Sequence, residues 1–282
     1  MTVYLNDIQA GMEEGFAMGQ AASQAFGGGN QYKTDLAGYI FGTGGDQTAA
    51  QGHLAGTFNH GTLSGTKDDI RVYCDETRYQ AVSDDDKRAR DSDNRVVIHA
   101  FDVGSSPCDG LFSTTSAYTT QFRLTQWSII QFCPRYLQAV KIAKYKGIKG
   151  AGNKFFNVIG TAVENALTKA QRTTIDLYAL FSTTCLHEIM HTTVMGQADD
   201  VGSGGGYGWK KIVALGAAGS GSRNADSLAY MGLGTTIIDE DNKFITQGGQ
   251  LKDIPTASKR DVNALIEAMR DGRMRVARTW KA

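Results

Sequence analysis

The 282-residue sequence predicts a single α+β domain spanning 1–282, mostly helical with one small sheet. Three observations carry that expectation. β-type apolar runs are confined to the first half, apolar residues recur at helical spacing from about Asn157 onward, and no internal repeat or long linker separates the two parts. Strands segregated from helices along a chain are the mark of α+β rather than alternating α/β architecture.

Residues 7–26 read as an opening amphipathic helix, with Ile8, Met12, Phe16 and Gly19 on one stripe and Asn6 as its cap. A glycine-punctuated region follows. The runs 70–74, 96–101 and 128–133 read as strands, and Pro134 ends the third and opens a helix to 145. Segment 83–95 carries both charge signs densely and reads as a solvated loop. Its Asp84-Asp85-Asp86 and Asp91-Ser92-Asp93 lack the Gly and closing Glu of a calcium loop. Helices are expected near 157–171, 174–195, 207–217 and 223–233. The last expected helix opens with the capping box Ser258/Asp261, carries Val262, Leu265, Ile266 and Met269 as its stripe, and ends at Gly272.

Composition excludes several functions. The 29 Lys and Arg balance 29 Asp and Glu, and no basic run offers the positive field that polyanion binding requires, which argues against nucleic acid. No stretch approaches the roughly 18 apolar residues that span a bilayer, so no membrane partner is expected. The 34 glycines, about 12% of the chain against a usual share of roughly 7%, cluster at 27–29, 42–45 and 202–221. The last cluster, set among Ser and Ala, reads as a flexible connection. Neither G-x-x-x-x-G-K-[ST] nor a strand-led G-x-G-x-x-G is present. Cys74, Cys108, Cys133 and Cys185 would suit two disulfides, which could pair in three ways, and the absence of C-x-x-C argues against a thiolate zinc site. The N-terminus shows no positively charged start followed by an apolar core. The sequence is therefore either cytosolic or a mature chain with a start Met added.

The chemistry lies inside segment 174–195, where His187-Glu188-Ile189-Met190-His191 forms an H-E-x-x-H. Residues four apart stack on one helix face, so both imidazoles can reach one zinc ion, while Glu188, offset around the helix, can serve as general base to a metal-bound water. With 5 His and 7 Glu in the chain, about 0.002 such matches are expected by accident. The apolar flanks imply a helix buried nearly all round, where two imidazoles and a carboxylate without a metal would be costly. A third ligand is still required. No His follows His191, and only Glu240 and Glu267 remain as later Glu, so Asp199, Asp200 and Asp226 are the candidates. His53, His60 and His99 have no ligand spacing and read as structural. Cys185 faces away from the ligand pair, and no G-x-S-x-G offers a serine nucleophile.

The H-E-x-x-H, the Asp soon after it, Tyr207-Gly208-Trp209 and Asn224-Ala225-Asp226 together resemble the aspzincins, the deuterolysin and peptidyl-lysine metalloendopeptidase group of mainly fungal secreted proteases. The short motifs cover roughly 180–235, and a vaguer likeness extends over the opening helix and Tyr39-Ile40-Phe41-Gly42. The resemblance implies a zincin-like domain with its zinc-site core at about 174–235, holding one Zn2+ per chain through His187, His191 and Asp200. It also implies Glu188 as base and Tyr207 as the group stabilising the oxyanion. A secreted monomeric endopeptidase acting on polypeptides follows, with Asp226 either lining a pocket for a substrate lysine or supporting a zinc-bound His. A zinc-holding protein without turnover is the alternative. In the family motif G-T-x-D-x-x-Y-G two residues separate Asp from Tyr; here Gln197-Ala198-Asp199-Asp200 replaces its start and 201–206 intervene. A loop absorbs such an insertion at small entropic cost.

Overall fold

A computed structural model describes residues 4–60, 70–109, 115–121, 127–143, 173–178, 181–202 and 206–255. The chain divides into two compact units, Met1–Lys252 and Asp253–Ala282. The first unit is α+β with small sheets, as the segregation of strands and helices predicts.

Helix α1 (Leu5–Ala25) buries Ile8, Met12 and Phe16 as expected, but Tyr4 occupies its N-cap without a side-chain bond and Asn6 lies inside the first turn. Its glycines explain part of the compositional excess. Gly11, Gly15 and Gly19 recur every four residues on one face, and a Cβ at Gly11 would stand 2.5 Å from the Phe181 ring. At Gly15 it would meet the Leu186 backbone nitrogen at 3.1 Å. Small residues at this spacing let α1 lie closely against the helix that carries His187 and Glu188.

The glycine-punctuated region holds two further helices, α2 (Gln31–Phe41) and α3 (Gly45–Ala55), followed by the short α4 (Thr57–His60). The side chain of Asn30 accepts from the backbone N–H of Tyr32 and Lys33, an N-cap that starts α2. The α3 segment, rich in alanine, glutamine and glycine, has weak amphipathic contrast, so tertiary packing rather than periodicity decides its state.

The expected strands 70–74, 96–101 and 128–133 appear as β1 (Ile70–Tyr73), β4 (Val96–Asp102) and β6 (Ser128–Phe132). The sheet β1-β6-β5 pairs β1 parallel to β6, and β5 (Ala117–Gln121) antiparallel to it. Alternation gives this sheet two faces. One carries Thr119, Gln121, Ser128 and Phe132; the other carries Tyr118 and Gln131, whose polar atoms meet Tyr79 and Arg78. Segment 83–95 is not simply a solvated loop. It contains β3 (Arg88–Asp91), the middle strand of the antiparallel sheet β2-β3-β4, in which β2 is Tyr79–Ala81. Ala89 packs with Tyr79 and Ile98, and buried Asp91 accepts from Arg78 Nε at 2.8 Å. That partner lies 13 residues away, so local charge density could not reveal it.

Pro134 opens α5 (Pro134–Ala143). The expected helix 174–195 is interrupted: a 3-10 turn at Ile175–Tyr178, then α6 (Phe181–Met190), then a 3-10 turn at Thr193–Met195. Extended backbone at Thr192 (φ −70°, ψ 153°) breaks the helical path. Two later helices, α7 (Trp209–Ala217) and α8 (Ala225–Glu240), correspond to the expected 207–217 and 223–233, with α8 continuing about two turns farther. A hairpin of β7 (Lys243–Ile245) and β8 (Leu251–Asp253) follows. The expected helices 157–171 and 258–272 lie outside the described residues. Helix α6 is clamped between α1 and α8: a Cβ on Gly232 of α8 would stand 2.5 Å from Leu186 Cδ2. In place of two disulfides there is one among the described residues, Cys108–Cys133, while Cys74 and buried Cys185 are free thiols.

Candidate metal centre

Nearly every residue of α6 is buried, including His187 at 8% and Glu188 at 4% exposure. His191 is the first residue beyond the helix, and the turn there is set by hydrogen bonds. Ala198 N donates to Met190 O at 3.0 Å, Thr192 Oγ1 donates to Ile189 O at 2.7 Å, and His191 Nδ1 donates to Ala198 O at 2.6 Å. Because a carbonyl can only accept, the hydrogen of His191 sits on Nδ1 and Nε2 is left with its lone pair. His187 is oriented in the same sense, with Nδ1 lying 3.4 Å from Asp226 Oδ1. Both Nε2 atoms therefore converge.

They stand 3.0 Å apart, and each is 3.4 Å from Asp200 Oδ1. Three donors held 2.0–2.1 Å from one small divalent cation at tetrahedral angles would be about 3.3 Å apart, so the triangle fits such an ion. His187, His191 and Asp200 form the one group of three or more His, Cys, Asp or Glu residues among the described residues able to hold a metal ion.

The choice among the three aspartates follows from the backbone. Asp199 is bonded along its main chain to the segment before α8, donating to Arg223 O at 2.7 Å and accepting from Ala225 N at 2.9 Å. In an extended segment successive side chains point oppositely. Asp199 consequently faces solvent, 71% exposed and 4.0 Å from Arg223 Nη2, while Asp200 turns to the histidines. Asp226, in the first turn of α8, sits on the far nitrogen of His187, and its Oδ2 accepts from Gly208 N at 2.9 Å. Both its oxygens are engaged in supporting groups, as in a carboxylate–histidine–metal arrangement.

Tyr207 reaches the centre across the glycine-rich insertion: its hydroxyl donates to Asp200 Oδ2 at 2.8 Å and its ring lies 5.6 Å from that of His187. The insertion, read as a flexible connection, is tied at both described ends by buried Asn224. Asn224 accepts from Val201 N at 3.1 Å and donates to Gly206 O at 3.4 Å. Gly206 has φ +63°, and a Cβ there would come within 2.5 Å of Val201 O and 2.6 Å of Asn224 Oδ1. Beyond Tyr207, the first N–H groups of α7 are capped by two carboxylates, Gly208 N by Asp226 and Trp209 N by Asp176 Oδ1 at 2.8 Å.

Glu188 is anchored from the sheet. Thr119 Oγ1 of β5 lies 2.7 Å from Glu188 Oε2 and 3.1 Å from its carbonyl oxygen, and Gln121 Nε2 donates to His191 O. Electrostatics of the cluster follow from its crowding. Burial by itself would lower the pKa of His187, but the contact with Asp226 and the charges of Glu188 and Asp200 outweigh it and push it up to about 9. Burial opposes ionisation of Asp200, yet the imidazoles of His191 and His187 hold its carboxyl below the usual range. Burial and then the neighbouring Asp200 charge push the Tyr207 phenol well above its ordinary value, so it keeps its proton.

Comparison with family models, curated proteins and solved structures finds no match to this chain. The remaining histidines lie apart from the site. His53 Nδ1 bonds Met195 O at 2.7 Å and thereby holds the turn after His191; His99 is exposed beside Arg88; the His60 side chain lies outside the described residues. Cys185 faces α1 at Gly11 and Gly15, away from the ligand pair as its spacing predicts. Thr119, Gln121 and Asp176 were not legible in the sequence: each acts through a partner more than 30 residues away, and none belongs to a spaced motif.

Proposed function

We propose that this chain is a secreted zinc metalloendopeptidase of aspzincin type on a zincin-like domain, with His187, His191 and Asp200 holding one zinc ion and Glu188 as general base. The observation that carries this reading is the triangle of two imidazole nitrogens and one carboxylate oxygen, 3.0, 3.4 and 3.4 Å on its sides, beside a buried glutamate on the same helix. A set of two His and one carboxylate is a common catalytic zinc donor set, since three protein ligands leave a fourth position open. When bound there, zinc supplies Lewis acidity toward a scissile carbonyl and lowers the pKa of a coordinated water.

The chain's own residues do the rest. Glu188 has Oε2 held by Thr119, so Oε1 is the oxygen that accepts a proton from the attacking water and later delivers it to the leaving amine. Tyr207 stays protonated, and on turning its one hydroxyl hydrogen away from Asp200 Oδ2 it serves as a donor to the developing oxyanion. Asp226 holds the His187 ring rather than a substrate side chain, so the proposed peptidase has no lysine-selecting carboxylate at that residue. Secretion is supported by the Cys108–Cys133 disulfide, which suits an oxidising compartment. No described helix is long and apolar enough to cross a membrane.

A second reading, zinc retention without turnover, is favoured by the Tyr207 hydroxyl donating to Asp200. Hydrolysis of unfolded casein by zinc-loaded protein separates the two. The peptidase reading expects turnover that falls by about 10²-fold or more in Glu188→Gln while zinc remains at one per chain. Stoichiometric zinc with no turnover in the unsubstituted protein supports the second reading, and activity undiminished by Glu188→Gln or by chelation rules out the first.

A further inference from the structure

We propose that Thr119 is a positioning residue for Glu188, fixing the carboxylate that acts as base; the proposal rests on the peptidase reading above. Thr119 lies on β5 and is paired with Ile130 of β6, so its backbone is set by the sheet rather than by α6. Its β-branched side chain is stiff at χ1. A glutamate side chain, by contrast, has three rotatable bonds, and a base must present its oxygen within about 2.6–3.2 Å of the proton it takes. A hydroxyl 2.7 Å from Oε2 removes much of that freedom and leaves Oε1 without a hydrogen-bond partner among the described residues.

The same strand treats the end of α6 as a unit. Carbonyls in the last turn of a helix lack intrahelical partners. The Thr119 hydroxyl also lies 3.1 Å from the Glu188 carbonyl, and Gln121, two residues along on the same face, donates to the carbonyl of His191. On the face shared with these two residues, Ser128 Oγ accepts from Thr193 N at 3.0 Å and the Phe132 ring lies 5.2 Å from that of Phe181. Strand β5 is thus pressed against the segment that contributes both the base and a metal ligand. A purely structural role would make Thr119 a cap for the helix end, with no consequence for the Glu188 side chain.

Thr119→Val preserves shape and removes the hydroxyl; Thr119→Ser restores it. With zinc-loaded protein and an unstructured peptide, Thr119→Val is expected to lower kcat about ten- to a hundredfold, a share of the roughly 10²–10⁴-fold a positioned general base contributes. KM and zinc stoichiometry should stay within about twofold, and Thr119→Ser should recover kcat to within about threefold. Crystal structures of the zinc-loaded proteins give a readout independent of activity: one Glu188 rotamer with Oε2 on the hydroxyl in the unsubstituted protein and Thr119→Ser, and a displaced or multiple-rotamer carboxylate in Thr119→Val. An unmoved Glu188 in folded Thr119→Val, or a Thr119→Ser variant as impaired as Thr119→Val, overturns the proposal. If the unsubstituted protein shows no Glu188-dependent turnover, the peptidase reading fails, and the rotamer comparison still decides whether Thr119 positions the carboxylate.

Discussion

Without a metal ion in the proposed centre, the stability of this protein should depend on pH through His187. In the ion-free site its imidazole is buried against Asp226, Glu188 and Asp200, and its pKa is pushed up to about 9 from an ordinary value of 6.5. A raised folded-state pKa means that the folded protein binds the proton more tightly than the unfolded chain. The stabilisation is therefore fully present below about pH 6.5 and is lost as pH rises through about 9. A difference of roughly 2.5 units at 1.36 kcal/mol each is about 3 kcal/mol. The lowered carboxyl of Asp200 contributes elsewhere, since its stabilisation is lost only as pH falls below about 4. Urea unfolding of chelator-treated protein at pH 6.5 and pH 9.5, beside His187→Asn, isolates the effect. The unsubstituted protein should lose about 3 kcal/mol more than the variant over that interval. With zinc present the ring must be neutral to ligate, so the relation reverses and added zinc stabilises most above pH 7. Equal pH dependence in the metal-free protein and in His187→Asn would refute the buried cluster.

Two further expectations test the supports of the centre. Asp226→Ala removes the acceptor on His187 Nδ1 and the cap on Gly208 N together, and should weaken zinc binding roughly 10- to 100-fold by competition with a calibrated chelator; unchanged affinity would show that the His187 ring is held without it. Gly206→Ala forces a Cβ to within 2.5 Å of Val201 O at φ +63° and should lower stability by about 1–3 kcal/mol, with zinc still bound, in thermal unfolding.

How much of this was legible in the sequence depended on whether the signal was local. The helix of His187 and Glu188 showed itself through its spacing and apolar flanks, and β4 and β6 through short apolar runs. By ligand chemistry three aspartates were equivalent candidates, and only the resemblance singled out Asp200; in three dimensions Asp199 is separated by the alternation of side chains along a segment bonded to the start of α8, and Asp226 by its place on the far nitrogen of His187. Asp91 looked like part of a solvated acidic run because its partner, Arg78, lies across a sheet whose strands are three to seven residues long. The glycine excess divided in a way composition could not foresee. Part of it seats α1 against α6, and part forms the loop that Asn224 closes between Asp200 and Tyr207. Tyr207 thus returns to the centre despite the insertion, because the loop ends, rather than its length, set the distance.

The measurement that bears most directly on the central claim is a zinc-edge anomalous difference map from crystals of the zinc-loaded protein. One strong peak per chain is expected about 2.0–2.2 Å from Nε2 of His187, Nε2 of His191 and Oδ1 of Asp200, with Asp226 on the far side of His187. A peak that instead contacts Asp199 or Asp226, or that lies away from His187 and His191, would contradict the claim.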